Sequence, residues 1–268
     1  DGEGEVYTYL DPRPRDYRKG IFKFKATEYG AKPRRSDLER IVRLGAKGTS
    51  MPAFRWLSEE DLQAVVDYVI LLSRRGEVEL ALIRESEIEL GEEDDYDPFI
   101  VADYVTDIDE SWETASEQVV QPITPEPAFS EETVLRGAKL FVGGECKQCH
   151  GRNGRGGKEN YSAAGTAQDA WGNVAYAADL TSGMLHGGRR PIDIYRRIHS
   201  GIYGSPMSGF AQAYSEEPDN IWYLTHFVIS LVEGKEIPEV RRLLEGETSV
   251  EQIQPEVDAG AESEAGGQ

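Results

Sequence analysis

Five consecutive residues, Cys146-Lys147-Gln148-Cys149-His150, carry the most readily interpreted chemistry of this sequence. Two thiols separated by two residues and followed at once by an imidazole form a site at which haem is attached covalently. The thiols of Cys146 and Cys149 are placed to add to the two vinyl groups of a haem, and His150 can then reach the iron as its fifth ligand. The pattern predicts one covalently bound haem c in this chain.

The same two cysteines could instead form a redox dithiol, half of a zinc site or ordinary packing contacts. A thioredoxin-like dithiol follows a strand and opens a helix in a β/α pattern, which this sequence does not show. A zinc site needs a second pair of ligands, and the chain has no other cysteine to supply one. The spacing favours haem over these alternatives and leaves no cysteine for a disulfide.

An internal duplication is the second informative feature. Residues 37–51 run parallel to residues 193–207, with Asp, Arg, two Gly and Met at matching offsets, and a Phe follows three residues later in each copy. The first copy's counterpart of the cysteine motif would fall just before Asp1, and no histidine precedes His150. We interpret the first copy as the distal half of a haem domain that was either cut from a longer chain or has lost its haem. The start at Asp1 favours the first explanation.

An electron carrier needs a sixth iron ligand opposite His150, and Met207 is our choice. Its loop, residues 204–209, lies between two predicted helices, where a thioether can be held toward the iron. A lone methionine usually fills core space, but Met51 recurs at the matching position of the first copy, which favours ligation. Met51 is then a vestigial ligand or the ligand of a second haem. The reserve sixth ligands are Met184 and His186, whereas His199 is expected at the surface or the haem edge and His226 in the core.

Helical signals dominate both copies, so the predicted fold class is all-α, with two tandem helical domains of which the first is incomplete. Ser36, Ser58 and Ser130 are expected to cap helices, and Pro191 to begin one. The expected helices include 37–45, 131–142, 191–200 and 217–232.

Between the copies, an acidic segment also contains apolar residues, and it is either partly helical and packed against the first copy or a solvated spacer. Its helices would then cross between the domains. The predicted organisation is a partial domain at 1–75 without the haem-attachment motif, an acidic and partly helical linker at 76–129, a haem domain at 130–232, and an acidic, mostly disordered tail at 233–268.

The net charge of −20 is unevenly distributed. The predicted linker carries −16 and the tail −7, whereas the haem-bearing segment is neutral and residues 1–75 carry +3. The field of a flexible segment is screened within about 8 to 10 Å at ordinary salt, so overall acidity is a weak guide to partners. The sequence contains no run of about 18 or more apolar residues, the length that a helix needs to span a bilayer. Because bacteria attach haem covalently outside the cytoplasm, we expect a periplasmic or otherwise extracytoplasmic protein.

Residues 130–232 resemble the class I cytochrome c family, and parts of 1–75 resemble its diheme members. Within residues 1–75, the matching features are Pro14 to Tyr17 and Gly48 to Pro52. Within residues 130–232, they are Gly137 and Phe141, the cysteine motif with Gly151, Asp179-Leu180-Thr181, the Met207 loop, and Trp222 or Tyr223.

The resemblance implies that the first and last helices cross closely at Gly137 and that a backbone carbonyl accepts the Nδ1–H of His150. In the family this carbonyl commonly belongs to a proline, but Ala177 stands at the aligned position. Ser208 also departs from the family, in which a proline often follows the ligand methionine. Further candidates are Arg189, Arg190, Arg196 and Arg197 for the haem propionates, and Trp171 and Tyr176 for the haem pocket.

The expected function is electron transfer, as a carrier or as a subunit of a redox complex. We expect a redox donor and acceptor as partners, with association to a membrane complex possible, and no nucleic acid. An electron carrier performs no substrate chemistry, so no catalytic residue is expected. Two other classes remain open: a haem enzyme such as a peroxidase, with an open iron site and His186 near it, and an acidic docking subunit.

Overall fold

Helices supply the regular secondary structure of the chain. The computed structural model describes residues 1–10, 12–88, 98–157 and 167–252, and these ranges contain eight α-helices, three short 3-10 helices and two isolated β-bridges. The all-α prediction is confirmed. Across the same ranges, no helix has both the length and the apolar character needed to cross a membrane. The α-helices are α1 (Arg35–Leu44), α2 (Glu59–Ile88), α3 (Pro98–Glu113), α4 (Glu131–Gly143), α5 (Cys146–His150), α6 (Pro191–Ser200), α7 (Asp219–Val232) and α8 (Pro238–Glu245).

The crossing of α4 and α7 is the centre of the second unit, which we define as the described residues from 130 to 252. Gly137 lets the two helices meet, because a Cβ atom at this position would lie 1.9 Å from the carbonyl oxygen of Tyr223 and 2.8 Å from the Cβ of Phe227. Phe141 and Phe227 are buried beside it, with their ring centroids 5.0 Å apart. Helices α4 and α7, the first and last of the haem domain predicted at 130–232, therefore cross closely, as the resemblance implied.

Helix α8 lies within the segment that we expected to be mostly disordered. It packs on α4, and Ile237, Val240 and Leu243 are buried in the same core. Their spacing of three residues gives this acidic segment one apolar face, whose burial stabilises the helix. Residues 238–245 of the predicted tail are thus helical and packed on the core, and residues 253–268 lie outside the described ranges.

Capping side chains explain where several helices begin. The hydroxyl of Ser130 accepts the N–H of Thr133 at 3.2 Å at the start of α4, and the hydroxyl of Ser58 accepts the N–H of Asp61 at 3.0 Å at the start of α2. Pro191 occupies the first turn of α6, where its missing N–H is tolerated. These three helix starts agree with the sequence predictions.

Ser36 does not cap α1, although we expected it to. The helix begins at Arg35, two residues before the predicted start, and the carboxylate of Asp37 accepts the N–H of Arg34 at 3.1 Å. A carboxylate from the third helical position thus satisfies the start of α1. Asp37 at the third helical position is thus the better sequence signal for the start of α1 than the hydroxyl of Ser36.

The first unit, defined as the described residues from 1 to 118, is built on the 30-residue helix α2. This helix continues past residue 75, where we expected the linker to begin, and α3 packs against it. Trp112 of α3 joins Phe22, Leu38 and Val66 in a buried cluster. The described helical parts of the expected linker are therefore packed on the first copy and are not a solvated spacer.

Candidate haem site

The cysteine motif forms the short helix α5, which follows closely after α4. Cys146 is half-buried, Cys149 is exposed, and both are free cysteines. Burial raises the pKa of the Cys146 thiol to about 11, so this thiol is protonated at neutral pH. Residues three apart on a helix lie on the same side. Two free thiols on one side of α5 can therefore form thioether bonds to the same haem.

His150 ends α5 and is oriented by a backbone carbonyl. Its Nδ1 lies 3.0 Å from the carbonyl oxygen of Ala178. Because a carbonyl can only accept, Nδ1 must carry the proton of this bond. Burial lowers the pKa of the imidazole, which favours the neutral ring. The lone pair of Nε2 is then available for a metal ion.

The accepting carbonyl is one residue away from the one that we expected. Ala178 accepts the Nδ1–H bond of His150, whereas the carbonyl of Ala177 accepts the N–H of Gly157 at 3.1 Å. The expectation for Ala177 is therefore wrong. A backbone carbonyl nevertheless supplies the hydrogen bond, so the absence of the usual proline does not remove this support for the histidine.

Glycines in the loop after α5 hold the accepting segment against the histidine. The N–H of Gly156 donates to the carbonyl of His150 at 2.8 Å, and the N–H of Leu180 donates to the carbonyl of Gly154 at 2.9 Å. A Cβ atom at Gly156 would lie 2.3 Å from the carbonyl oxygen of Ala177, and the φ of Gly156 is 56°. Only glycine accepts this combination of close approach and left-handed backbone without strain.

The Met207 loop begins where α6 ends at Gly201, whose φ is 72°. The N–H of Ile202 donates to the carbonyl of Met207 at 3.0 Å, and the N–H of Met207 donates to the hydroxyl of Ser205 at 3.3 Å. Both backbone polar groups of Met207 are thus held within its own loop. The loop presents a half-buried thioether on a fixed backbone.

The loop of residues 45–51, which we call the Met51 loop, has the same backbone hydrogen bonds as the Met207 loop. Gly45 ends α1 with a φ of 67°, the N–H of Ala46 donates to the carbonyl of Met51 at 3.2 Å, and the N–H of Met51 donates to the hydroxyl of Thr49 at 3.1 Å. Sequence reasoning missed Thr49 and its counterpart Ser205, although two hydroxyl residues at matching positions were a usable signal. The duplication therefore extends from residue types to backbone hydrogen bonding.

The reserve ligands Met184 and His186 lie against the first unit. Nδ1 of His186 is hydrogen-bonded to the carbonyl of Lys47. A Cβ atom at Gly48 would lie 3.1 Å from the Cβ of Met184 and 3.2 Å from Cε1 of His186. Met184 is 55% exposed. Both residues therefore contact the loop that carries Met51.

The two remaining histidines have other surroundings. His199 lies 3.0 Å from the hydroxyl of Ser200 and 3.8 Å from the carboxylate of Glu28 in the first unit. His226 is fully buried on α7, and its Nδ1 lies 2.9 Å from the hydroxyl of Thr133 on α4. His226 is a core residue, as expected, and His199 lies where the two units meet.

The four candidate arginines differ in their surroundings. Arg189 is exposed, and Arg190 forms a bidentate pair with Asp193 at 2.8 and 2.9 Å. Arg196 donates to the carbonyl of Val120 at 3.2 Å. Arg197 is half-buried, and among the described residues its buried Nε–H has no partner.

Trp171 lies between the units. Its indole N–H donates to the carbonyl of Asp16 at 3.2 Å, and the guanidinium of Arg15 lies 4.6 Å from its ring centroid. A Cβ atom at Gly204, in the Met207 loop, would lie 3.1 Å from the same ring. Trp171 thus links the first unit to the Met207 loop, whereas Tyr176 is 47% exposed.

The side chains present fit a covalently bound haem. The thiols of α5 offer attachment, the imidazole of His150 has a fixed tautomer and a free Nε2, and the Met207 loop offers a thioether. The unpartnered Nε–H of Arg197 could donate to a haem carboxylate.

Residues 134–231 match the family model for cytochrome c. They form a cytochrome c domain. A cytochrome c domain carries covalently bound haem c and serves electron transfer. The predictions of a covalent haem c and of an electron-transfer role are therefore confirmed for residues 134–231. No curated protein matches the chain.

One similar solved structure extends beyond the cytochrome c domain. It is a chain of the reducing HAO-like protein complex of Kuenenia stuttgartiensis, which is 28% identical to this chain. The similarity covers 86% of each chain with a TM-score of 0.63. The first unit and the cytochrome c domain therefore resemble, for most of their length, one chain of a redox protein complex.

Proposed function

We propose that the chain is an extracytoplasmic electron-transfer subunit of a redox complex, with haem c attached to Cys146 and Cys149 and ligated by His150 and Met207. The observation that carries the proposal is the hydrogen bond from His150 to the Ala178 carbonyl, on a helix that also holds both thiols. This bond orients the ring and increases its basicity as a ligand. When bound, the haem supplies a one-electron couple.

Met207 is the preferred sixth ligand because its backbone is held on both sides by its own loop. A neutral, soft thioether favours Fe(II) over Fe(III) and raises the reduction potential. His186 keeps an Nε2 that could also serve, because its Nδ1 is hydrogen-bonded to the carbonyl of Lys47 in the first unit. Met207 is preferred on the geometry of its loop, and a peroxidase with His186 as a distal acid or base is the alternative that the spectrum tests.

Met51 is proposed as the corresponding ligand of a second haem in a longer form of the protein. Its loop has the bonding of the Met207 loop. Asp16 and Asp179 also make the same turn, in which the carboxylate accepts an N–H two residues on, at 3.0 and 2.8 Å. A Cβ atom at Gly2 would lie 2.9 Å from a carbonyl oxygen of the segment before this turn. The close approach of Gly156 to the carbonyl of Ala177, after α5 in the second unit, is the equivalent contact.

Membership of a complex is supported by the similarity that spans both units. An extracytoplasmic location is supported by the covalent attachment of haem. The partners would be redox proteins that approach the haem edge through small, transient contacts. Electron transfer would then need little change in geometry at a six-coordinate iron.

The test is covalent haem content and the optical spectrum of purified holoprotein. We expect haem to survive acid extraction in the wild type and to be lost from a Cys146→Ala, Cys149→Ala double variant. Met207→Ala should remove the thioether-to-iron charge-transfer band of the oxidised protein, and Met184→Ala should retain it. Haem quantitation tests the second haem: we expect one haem per chain of 268 residues and a second one only in a longer form of the protein.

Three results would contradict the proposal. Porphyrin that is fully extracted from the wild type would refute covalent attachment. A charge-transfer band unchanged in Met207→Ala would refute the ligand assignment. A high-spin spectrum that responds to peroxide would support the peroxidase instead.

A further inference from the structure

Residues 167–175 of the second unit form a loop between the first unit and the Met207 loop, and we call this segment the bridging loop. The N–H of Asp169 donates to the carbonyl of Asn173 at 2.8 Å. The carboxylate of Asp169 accepts the backbone N–H groups of Trp171 and Asn173, both at 3.0 Å. The tip of the bridging loop is therefore fixed by its own hydrogen bonds.

Three consecutive residues of the bridging loop are bonded to the first unit. Lys23 pairs with the carboxylate of Asp169 at 3.1 Å, and the two side chains are only 16% and 11% exposed. Nζ of Lys19 donates to the carbonyl of Ala170 at 2.8 Å, and a backbone carbonyl of the first unit accepts the indole N–H of Trp171 at 3.2 Å. Because a partly buried ion pair is screened less than an exposed one, the pair made by Lys23 is the strongest of these attachments.

The bridging loop in turn supports the Met207 loop at Gly204. The N–H of Ala170 donates to the carbonyl of Gly204 at 3.0 Å. The φ of Gly204 is 78°, and a Cβ atom there would lie 3.1 Å from the ring of Trp171 and 2.5 Å from Cγ2 of Ile21 in the first unit. The ring and the methyl group thus close directly on the backbone. Met207 follows three residues later, and its N–H donates to the serine hydroxyl between them.

The second unit contacts the Met51 loop in a corresponding way. Gly48 aligns with Gly204, and a Cβ atom at Gly48 would lie 3.1 Å from the Cβ of Met184. Met184 and Ile21 each follow one of a pair of aligned glycines. The same position of each unit therefore packs on the methionine loop of the other unit. This reciprocity indicates that the contact belongs to the duplicated architecture.

We propose that the first unit positions Met207 on the haem iron of the second unit, with Lys23, Ile21 and Trp171 as positioning residues. This inference rests on the proposed function, because it assumes ligation by Met207. A thioether favours Fe(II) over Fe(III), so ligation of the oxidised iron depends most on how well the loop is held. A loop that is already fixed in its binding conformation loses less conformational entropy when the sulfur binds.

The test is the pH at which oxidised holoprotein loses its thioether-to-iron charge-transfer band. Raising the pH lets hydroxide compete with the thioether for Fe(III), and a loosened loop loses this competition at lower pH. Lys23→Gln should weaken thioether ligation about tenfold. The pH midpoint should then fall by about one unit, if one hydroxide replaces the sulfur. Ile21→Ala should lower it less, and Lys23→Arg should recover most of the wild-type midpoint because it keeps the cation.

Two variants serve as matched controls. Arg75→Gln removes the same charge from the first unit, but Arg75 pairs with Glu79 of its own helix at 2.6 Å. Met184→Ala removes the corresponding contact on the Met51 loop, which carries no ligand of this haem. Both controls should keep the wild-type pH midpoint.

A wild-type pH midpoint in Lys23→Gln would overturn the inference. If that variant does not fold, Trp171→Phe decides in the same way, because it removes the indole N–H that bonds to the first unit and keeps an aromatic ring. A midpoint lowered as much by Met184→Ala as by Ile21→Ala would also overturn it, since the cause would then be a general loss of packing between the units. A wild type that lacks covalent haem, or lacks the band at neutral pH, would instead refute the proposed function.

Discussion

The two units share a methionine loop but differ in what covers the long helix that follows this loop. In the second unit, α4 lies across α7, and Phe227 is fully buried there. The apolar runs after the two loops contain Tyr68-Val69 and Phe227-Val228 at corresponding places, so Tyr68 of α2 is the counterpart of Phe227. Tyr68 is 60% exposed. The backbone bonds around Met51 and Met207 are nevertheless the same. The loop is thus encoded locally, whereas burial of the helix after it depends at this position on α4.

The aligned neighbours of these aromatic residues show the same contrast. His226 of α7 is fully buried and hydrogen-bonded to Thr133 of α4. Its counterpart Asp67 of α2 is exposed and accepts from Arg35 at 2.6 Å. The position under α4 thus holds a buried aromatic ring, whereas its counterpart in the first unit holds an exposed ion pair with Arg35 of α1.

The strongest test of the helix crossing is Gly137→Ala. The new methyl group would overlap the carbonyl of Tyr223, which belongs to a packed helix and cannot move freely. We expect a loss of about 2 to 3 kcal/mol in the free energy of unfolding, as for overpacked cores. Gly143→Ala is the matched control on α4, since a Cβ atom at Gly143 would lie 4.0 Å from its nearest neighbour among the described residues, a methyl group of Val250. Equal denaturant midpoints for the two variants would show that α4 and α7 do not cross so closely.

The next test separates the two methionine loops by function. Met207→Ala should lower the reduction potential by on the order of 100 mV, given that axial ligands span about 0.8 V. Met51→Ala should leave the potential and spectrum of this chain unchanged, because the attachment motif lies in the second unit. Redox titration of both variants checks this. A larger shift in Met51→Ala than in Met207→Ala would reverse our assignment of the loops.

The parts of the site that depend on short spacing could be predicted from sequence. The motif at 146–150 and the duplicated methionine specify their chemistry through residue types a few positions apart. The Ala178 carbonyl could be placed only to within one residue, because any residue supplies a carbonyl and the loop path selects which one. The surroundings of Arg197 could not be predicted at all, because they arise where two units meet.

The same distinction applies to the fold. Ser58 and Ser130 were recognisable as caps because capping is local. The burial of α8 could not be recognised from the sequence, because the acidic composition obscured a short apolar face. The helix is stabilised only when this face packs against α4. The continuation of α2 past residue 75 was missed for a related reason, since its packing partner α3 lies further along the chain.

A pH test sharpens the contrast between His226 and Asp67. Burial lowers the pKa of His226. The unfolded chain therefore binds more protons as the pH falls below about 6.5, and stability is lost by at most about 1.4 kcal/mol per pH unit. His226→Gln should flatten this dependence in holoprotein unfolded at pH 5 to 7. Asp67→Asn should not, because the hydrogen bond from Arg35 lowers the pKa of that carboxylate from a value already below this window.

The smallest effect concerns the caps of α4 and α2. Ser130→Ala removes the acceptor for the Thr133 N–H and should cost about 1 kcal/mol, or roughly 2 to 4 °C in Tm, because α4 is a central element of the core. Ser58→Ala removes the equivalent bond at α2. Since residues 59–61 at the start of α2 are exposed, its effect should appear mainly as faster amide exchange at residues 59–62, with a smaller change in Tm. Equal losses of Tm would mean that the start of α2 is as tightly coupled to global unfolding as that of α4, and the contrast between the two units would not extend to their stability.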